Sequence, residues 1–240
     1  MTFAATRYYQ VTEATWPPAA AMTANGWTLR NGDGGGKRVS AATLEDASAI
    51  DTIDHAERDM RAMGQTPLFM IRQGDDALDK ALDKRGYDII DPVNIYSAPV
   101  EKLATERPPR VSMFSIWEPL RIQHDIWAAA GIGPGRLRVM DRCAQPKTSI
   151  ASRWEDHPAG TAFIAIDNDI AMLHALEILP HQRKKGVATW LMRHAAFWAQ
   201  DNGAKHLSVI CVQRNEGANA LYTSLGMELV GQYHYRIEKA

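Results

Sequence analysis

The sequence predicts an α/β (α+β) fold in which helices flank a central sheet of mixed strand direction. In the C-terminal half, three strand-like runs come one after another, and a helix, a strand, a helix and a last strand follow them. Such an order is typical of a mixed sheet covered by helices. The stretches DALDKALDKRGYDII and NALYTSLGMELV share a layout of helix, glycine stop and strand, which hints that the two halves are related.

In the N-terminal half, apolar periodicity and breaker residues predict the elements. From Leu44 onward apolar residues recur every three or four positions, as in an amphipathic helix, and Gly64 ends it. Pro92 interrupts the last run, which predicts an edge strand because proline cannot donate to a sheet ladder. The predicted order is a helix at 8–16, strands at 27–30 and around Val39, a helix at 44–63, a strand at 68–72, a helix at 75–86 and the edge strand at 87–99.

A charged, proline-rich stretch at 101–110 is the best linker candidate in the chain. It divides the sequence into a smaller N-terminal module, 1–100, and a C-terminal domain, 111–240. In that domain, apolar residues at helical spacing from Val187 onward predict a strong helix. The elements predicted there are a strand at 111–117, helices at 118–130 and 134–143, strands at 147–153, 161–166 and 170–178, a helix at 187–202, a strand at 205–212, a helix at 216–225 and a strand at 227–237.

Charge and composition restrict the partners that the sequence predicts. Lys and Arg number 27 against 28 Asp and Glu, so the net charge of −1 gives no global attraction to nucleic acid or to an anionic membrane. Cys143 and Cys211 are too few for a disulfide framework or a zinc cluster, and we expect no metal. No apolar stretch approaches the roughly 20 residues of a membrane span, and the N-terminus MTFAATRYYQ lacks a signal-peptide layout. We therefore expect a soluble cytoplasmic protein.

A basic loop is the first functional feature of the sequence. The segment HQRKKGVATWLM, 181–192, places Arg183, Lys184 and Lys185 where a strand gives way to a helix, although the helix dipole disfavours cations there. The first N–H groups of a helix have no intrahelical partner, and a glycine such as Gly186 lets a phosphate approach the main chain. The loop is therefore a candidate anion site, with a solvated basic turn as the alternative.

Three segments in a fixed order make this interpretation more specific. The residues from Arg183 to Ala188 resemble the acyl-CoA pyrophosphate loop, Gln/Arg-x-x-Gly-x-Gly/Ala, of the GCN5-related N-acetyltransferase (GNAT) superfamily. NEGANALYTSLGM, 215–227, resembles its second signature, with Met227 in place of the usual Phe. The preceding strand, HALEILP, is similar to the family's central strand and to that of its arylalkylamine N-acetyltransferase branch. The resemblance covers 111–237 and implies the acyl-CoA N-acyltransferase fold, whose sheet is mostly antiparallel.

The resemblance implies an acetyl-CoA site. In this family the sheet splays open after the central strand, and the pantetheine arm lies in the gap. Leu176 and Ile178 would offer backbone groups to the pantetheine, and Asn215 would bind the cofactor near it. Tyr222 would stand by the sulfur and protonate the leaving thiolate, with core packing as its alternative role. The residues implied to hold the pyrophosphate are Arg183, Lys184, Lys185, Gly186, Val187, Ala188 and Thr189.

The base that deprotonates the amine has two candidates. His174 needs no tuning, because an unperturbed histidine pKa lies near neutrality, and the arylalkylamine branch has a histidine at the matching position. Glu177 is the rival, because many relatives use a carboxylate on this strand and burial raises a carboxyl pKa. Strict alternation puts the two on opposite faces, whereas a bulge would bring both round. Met172 stands where GCN5-type enzymes carry their glutamate. The choice stays open, with a preference for His174 and a purely structural histidine as its alternative.

The N-terminal module carries neither family signature. Its glycine-rich segment NGDGGGKR, 31–38, departs from the P-loop pattern, because Gly-Lys is followed by Arg and not by Ser or Thr, and we interpret it as a flexible hairpin loop. Residues 1–100 are interpreted as a degenerate copy of the same fold that shapes the acceptor cleft, a layout found in tandem members of the family. The aromatic residues that could line this cleft, or pack in the core, are Trp16, Trp27 and Tyr96.

The function predicted from these features is acetyl-CoA-dependent N-acetylation of a primary amine on a small molecule. The amine would attack the thioester directly in a ternary complex, and backbone donors would stabilise the oxyanion. The alternatives are a non-catalytic acyl-CoA-binding module of the same fold and an N-acyltransferase for longer acyl chains. A homodimer is possible, and the acceptor depends on loops whose shape the sequence does not fix.

Overall fold

The structure is a computed structural model that describes residues 3–239. The α-helices are α1 (Ala5–Thr15), α2 (Ile53–Ala62), α3 (Asp76–Lys84), α4 (Val100–Leu103), α5 (Arg121–Ala129), α6 (Pro134–Arg142), α7 (Val187–Asp201) and α8 (Glu216–Ser224). The strands are β1 (Ala20–Ala24), β2 (Trp27–Asn31), β3 (Thr43–Leu44), β4 (Leu68–Arg72), β5 (Asp88–Pro99), β6 (Met113–Ile116), β7 (Lys147–Trp154), β8 (His157–Asp167), β9 (Ile170–Ile178), β10 (His206–Val212) and β11 (Glu228–Ile237). Within residues 3–239, each helix is too short or too polar to span a bilayer.

Eight of these strands form one large sheet, in the order β4-β11-β5-β10-β9-β8-β7-β6. All neighbouring strands in it are antiparallel except β9 and β10, which run parallel. The three strands β1 to β3 form a separate small sheet. The prediction of a mixed, mostly antiparallel sheet is therefore confirmed.

Helices cover both faces of the large sheet. On one face, Leu191 and Ala195 of α7 are fully buried in a core that they share with Ile164 of β8. On the other face, the neighbouring Phe163 of β8 packs with Trp127 of α5, and α1 lies beside it across β8 and β9. Successive residues of β8 are thus buried on opposite faces, which explains its nearly continuous apolar sequence.

The strand β5 is not the edge strand that Pro92 suggested. It lies between β10 and β11 and pairs with both. The register against β11 shifts between Tyr233 and Tyr235, so that Asp91, with φ of 43°, and Pro92 both lie opposite His234. A bulge of this kind is one of the few places where a sheet tolerates proline, because the extra residue needs no ladder partner.

The predicted strand around Val39 is also wrong. Lys37–Val39 is a 3-10 helix, and the short strand β3 follows it. Val39 is buried because it packs beside Val139 and Met140 of α6, so its apolar character reports a tertiary contact and not strand alternation. The helix predicted from Leu44 begins later, as a 3-10 helix at Ala47–Thr52 that continues into α2.

The segment predicted as a linker lies against α7. Its first residues belong to α4, in which Leu103 is buried in the same core as α7. Further along, Glu106 pairs with Arg193 at 2.6 Å, and the Arg107 guanidinium lies 4.4 Å from the Phe197 ring. The assignment of 1–100 and 111–240 to two domains stays a prediction.

Candidate active site

A cleft opens where β9 and β10 separate. Their parallel ladder joins Ile170–Leu173 to His206–Val209 and goes no further, although both strands continue. The segments beyond the ladder, 175–178 and 210–212, line one cavity of about 840 Å³. The splayed sheet that the resemblance implied is therefore present in this structure.

A bulge in β9 decides which side chains face this cleft. Ala175 has φ of 51°, and the register against β8 shifts so that Phe163 pairs with His174 while Thr161 pairs with Glu177. Residues directly opposite each other in a ladder point to the same face, and Thr161 and Phe163 share a face because they are two positions apart. The bulge therefore brings His174 and Glu177 to one face of the sheet. This is one of the two arrangements that the sequence left open.

Leu176 and Ile178 pack toward the opposite face, against the core around α7. Both residues line the cleft, and the Ile178 carbonyl accepts a hydrogen bond from Arg183 Nε at 3.1 Å. Because β9 has lost its pairing with β10 at this level, its main chain borders the open gap. That is the arrangement needed to offer backbone groups to a pantetheine arm.

The basic loop forms an open cradle at the start of α7. Gly186 stands before the first residue of the helix with φ of 80°, and Lys184 also has a positive φ, 64°. No side chain caps the helix, and a Cβ added at Gly186 would have Trp190 Nε1, 4.0 Å away, as its nearest neighbour. The free N–H groups and the helix dipole thus face unfilled space, which suits a pyrophosphate.

The predicted phosphate-binding residues do not all face the cleft. Those that line it are Arg183, Lys184, Gly186, Val187, Ala188 and Thr189. Lys185 lies outside the lining and pairs with Glu155 at 2.7 Å. Gln182 was not predicted, yet it lines the cleft, is 2% exposed and has an Oε1 atom without a hydrogen-bond partner among the described residues. A buried unpaired acceptor of this kind needs a donor, which a ligand can supply.

Tyr222 and Asn215 also line the cleft, on the side of β10 and α8. Asn215 uses its Oδ1 to cap α8, accepting from the Ala218 N–H at 3.1 Å. Burial raises the pKa of the Tyr222 phenol, and the charges of Cys211 and Glu177 raise it further. A phenol with a raised pKa stays protonated at neutral pH, so Tyr222 carries a proton at the cleft.

His174 is buried beside the cleft and is absent from its lining. Its Nδ1 lies 3.1 Å from Arg38 Nη1, and its Nε2 lies 2.9 Å from Thr15 Oγ1. Because a guanidinium can only donate, Nδ1 accepts, and Nε2 then carries the proton and donates to Thr15. The Thr15 hydroxyl in turn donates to the Val11 carbonyl at 2.6 Å. Both ring nitrogens are occupied in the neutral form, and burial with the nearby Arg38 charge holds the pKa of His174 well below its usual value.

Glu177 is the base candidate that lines the cleft. Burial raises the pKa of its carboxyl, and the charges of Arg183 and Arg136 lower it in part. The placement of the two side chains thus favours Glu177 over His174, in contrast to the preference drawn from the sequence. The sequence could not reveal this, because the choice depends on the bulge at Ala175 and on partners far away in the chain.

The N-terminal half supplies part of the lining of the cleft. From the sequence we predicted that this half shapes the cleft, but of its residues only aromatic ones were named as candidates. Trp16, Gly36 and Arg38 line the cleft, together with Arg136 of α6. The glycine-rich segment is packed and is no free hairpin, since a Cβ added at Gly35 would lie 2.6 Å from Val139 of α6. The available signal was the cluster of glycines, which marks a close approach of the main chain to a neighbour.

Trp27 and Tyr96 belong to the core instead. Trp27 is 2% exposed and stacks edge-on to Phe69, with 5.5 Å between ring centroids. Tyr96 lies behind Tyr222, with 5.8 Å between centroids, and its hydroxyl is 2.9 Å from Asn219 Oδ1. Of the three aromatic candidates, Trp16 is therefore the one that lines the cleft.

The comparisons with known proteins agree with this geometry. The fold is similar to that of a GCN5-related N-acetyltransferase from Kribbella flavida, with a TM-score of 0.77 and 16% identity over 98% of this chain and 96% of that one. The family model described as "Acetyltransferase (GNAT) family" matches residues 117–227. This segment is a domain of the GNAT superfamily. As a member it is an acetyltransferase, and acetyl-CoA is the cosubstrate that this family uses.

Two curated relatives of this GNAT protein carry acetyltransferase names. The "Uncharacterized N-acetyltransferase YobR" of Bacillus subtilis is 23% identical over 94% of this chain and 95% of its own length. The "Streptothricin acetyltransferase" of Streptomyces lavendulae is 31% identical over 37% of this chain and 48% of its own length. The predicted superfamily and fold are confirmed, while the arylalkylamine branch stays a prediction.

From the burial of His174 we predict how the stability of this GNAT protein depends on pH. Below the unfolded-state histidine pKa of about 6.5, the unfolded chain binds a proton that folded His174 does not. The free energy of unfolding should therefore fall as the pH drops below that value, by at most about 1.4 kcal/mol per pH unit from this group. Denaturant unfolding of His174→Gln should show a smaller pH slope than wild type. The exposed His55→Gln serves as control, and equal slopes in all three proteins would contradict the assignment.

Proposed function

We propose that this protein transfers an acetyl group from acetyl-CoA to a primary amine of a small molecule, by direct attack in a ternary complex. The observation that carries the proposal is the presence of Glu177 and Tyr222 in one cleft, which continues past Gly186 at the start of α7. A single cavity thus contains a carboxylate that can accept a proton, a phenol that can donate one and a cradle for an anion.

The two groups suit opposite proton transfers. An ammonium must lose a proton before its nitrogen can attack a thioester carbonyl, and Glu177, with a raised pKa, is a fitting acceptor. As the carbon–sulfur bond breaks, the thiolate needs a proton, which the Tyr222 phenol can give. On the side of β10, the main chain of β9 is unpaired at this level. It borders the same space and can donate hydrogen bonds to the developing oxyanion.

The cleft thiol supports direct transfer over an acyl-enzyme. Cys211 lines the cleft, but burial raises the pKa of its thiol to about 11. Because the thiolate is the nucleophilic form, a thiol that stays protonated is a poor acyl carrier. The amine itself is thus the better candidate for the attacking group.

A small acceptor is suggested by one relative that carries the name of a small molecule, streptothricin. A purely acyl-CoA-binding module has no need for the paired Glu177 and Tyr222. The test is a screen of small primary amines with acetyl-CoA, in which release of free thiol is followed. The screen should include primary amines that carry acidic, basic or neutral groups. Acetyl-CoA binding without thiol release on addition of any of them would favour the binding module.

Replacing the proposed acid gives a direct prediction. Tyr222→Phe keeps the ring against Tyr96 and removes one hydroxyl, so turnover should fall by roughly 10²-fold or more with little change in acetyl-CoA affinity. Steady-state kinetics and calorimetry measure the two quantities. Tyr87→Phe, at a buried tyrosine of the N-terminal half, is the matched control and should keep full turnover. Wild-type turnover in both variants would mean that Tyr222 has only a packing role.

A further inference from the structure

We propose that the acceptor amine also carries a carboxylate, and that Arg38 and Arg136 bind it. This inference rests on the proposed function, because it concerns the acceptor side of the same cleft. Both arginines line that cleft.

Arg38 is a guanidinium that lacks a counter-ion in the part of the chain that the structure describes. It donates to His174 Nδ1 at 3.1 Å, and its carbon lies 5.7 Å from the centre of the Trp16 ring. Its Nε is buried without a hydrogen-bond partner, and no carboxylate within residues 3–239 lies within 4.0 Å of it. Arginine has five N–H donors, so most of this group's capacity is unused. A buried donor without a partner is costly, and an anion in the cleft would satisfy it.

The role of His174 follows from the same contact. Its neutral ring accepts from Arg38 and is fixed from behind by Thr15 and the Val11 carbonyl. This chain of hydrogen bonds holds the guanidinium at the edge of the cleft. His174 is therefore a positioning residue for Arg38.

Arg136, like Arg38, has no ion pair among the described residues. Its neighbours on α6 differ, because Arg138 and Arg142 both pair with Asp33, at 2.7 and 3.3 Å. Arg136 instead lies beside the glycine loop, where a Cβ added at Gly36 would be 3.4 Å from its Nε. It is also close enough to lower the pKa of Glu177. The helix thus directs two charges to Asp33 and leaves the third at the cleft.

The local balance of charge points to an anionic acceptor. Lys37, between Gly36 and Arg38, is already paired with Asp91 at 2.9 Å, and Asp91 also pairs with Arg214. Apart from Arg183, which belongs to the loop at Gly186, two guanidiniums therefore line the cleft together with Glu177, the carboxylate that the proposed reaction engages. A guanidinium matches a carboxylate through two parallel hydrogen bonds, and a pair of them selects for an anion. The acceptor that fits is a zwitterion, with its amine at Glu177 and its carboxylate at the two arginines.

The test compares amino acids with their own carboxamides as acceptors. The series is α-amino acids and straight ω-amino acids of increasing chain length, each paired with the amide that removes only the charge. For the best chain length, wild type should show a kcat/KM for the acid that is roughly 10-fold or more above that for the amide, since hydrogen bonds to charged groups are at stake. Arg136→Gln, at an exposed position, should reduce this ratio through loss on the acids. Arg38→Met should do the same.

The control is Arg121→Gln, an exposed arginine that pairs with Asp125 on α5, and it should keep the wild-type ratio. Equal or better use of the carboxamides by wild type would overturn the inference while leaving the proposed function intact. A raised KM for acetyl-CoA in Arg136→Gln, with the preference for acids over amides unchanged, would assign Arg136 to cofactor binding. That result would overturn the proposal that Arg136 binds the acceptor carboxylate. Absence of acetyl transfer to any amine would instead be a failure of the proposed function.

Discussion

Glu177→Gln should lower kcat/KM for the amine by roughly 10²- to 10⁴-fold, the usual contribution of a positioned general base. The substitution keeps the shape of the side chain opposite Thr161 and removes the group that accepts the proton. Acetyl-CoA affinity should change little, because the substitution leaves the uncapped main-chain N–H groups at Gly186 in place. Steady-state kinetics with saturating acetyl-CoA measures the loss.

The pH profile tells Glu177 from His174. Burial raises the pKa of the Glu177 carboxyl, and its ionised form is the proposed base, so kcat/KM should fall as the pH drops through a value above the ordinary glutamate range. Glu177→Gln should lose this acidic limb. His174→Gln should keep it, because His174 is neutral and outside the cleft lining. Loss of the limb in His174→Gln alone would restore the histidine as the base.

Gly186→Asp should abolish acetyl-CoA binding at concentrations that saturate wild type. The new Cβ is strained at φ of 80°, and the new carboxylate occupies the free N–H groups at the start of α7 and repels the pyrophosphate. Loss of two charge-assisted hydrogen bonds, each of about 1.5–3 kcal/mol, predicts a fall in affinity of roughly 10²-fold or more. Isothermal calorimetry measures it directly.

The other end of the same helix supplies the matched control for this variant. Gly203 follows α7 with φ of 88° and has open space around it, outside the cleft lining. Gly203→Asp therefore introduces comparable backbone strain and the same charge. Its thermal stability should fall in a similar way, and its acetyl-CoA affinity should stay that of wild type. Unchanged affinity in Gly186→Asp would place the cofactor elsewhere.

The sequence predicted the parts of the site that are local in the chain. The loop at Gly186 and the segment with Asn215 and Tyr222 are short runs whose residues meet because they are neighbours along one turn or one helix. Their placement on either side of one cleft follows from the strand order, which the pattern of elements predicts. Gly186, Asn215 and Tyr222 all line the cleft, and their roles there stay predictions.

What the sequence could not supply depends on contacts between distant segments. One extra residue at Ala175 changes the face of every side chain after it, and no residue type in HALEILP announces it. Arg38 and Trp16 reach the cleft because α1 and the glycine loop pack across β9 and α6, more than 100 positions away. Apolar periodicity describes one helix or strand at a time, so it carries no information on tertiary contacts between distant elements.

The position of β5 has a consequence for how the chain reaches its final form. A ribosome makes this strand early, but its two partners, β10 and β11, follow more than 100 residues later. Until then both of its edges are unpaired, and contacts so distant in sequence are slow to form. The candidate cleft is bordered by β10, so it is complete only after that strand has been synthesised. Folding of this enzyme is therefore expected to finish after translation, and the nascent N-terminal half is the species most exposed to aggregation and most dependent on chaperones.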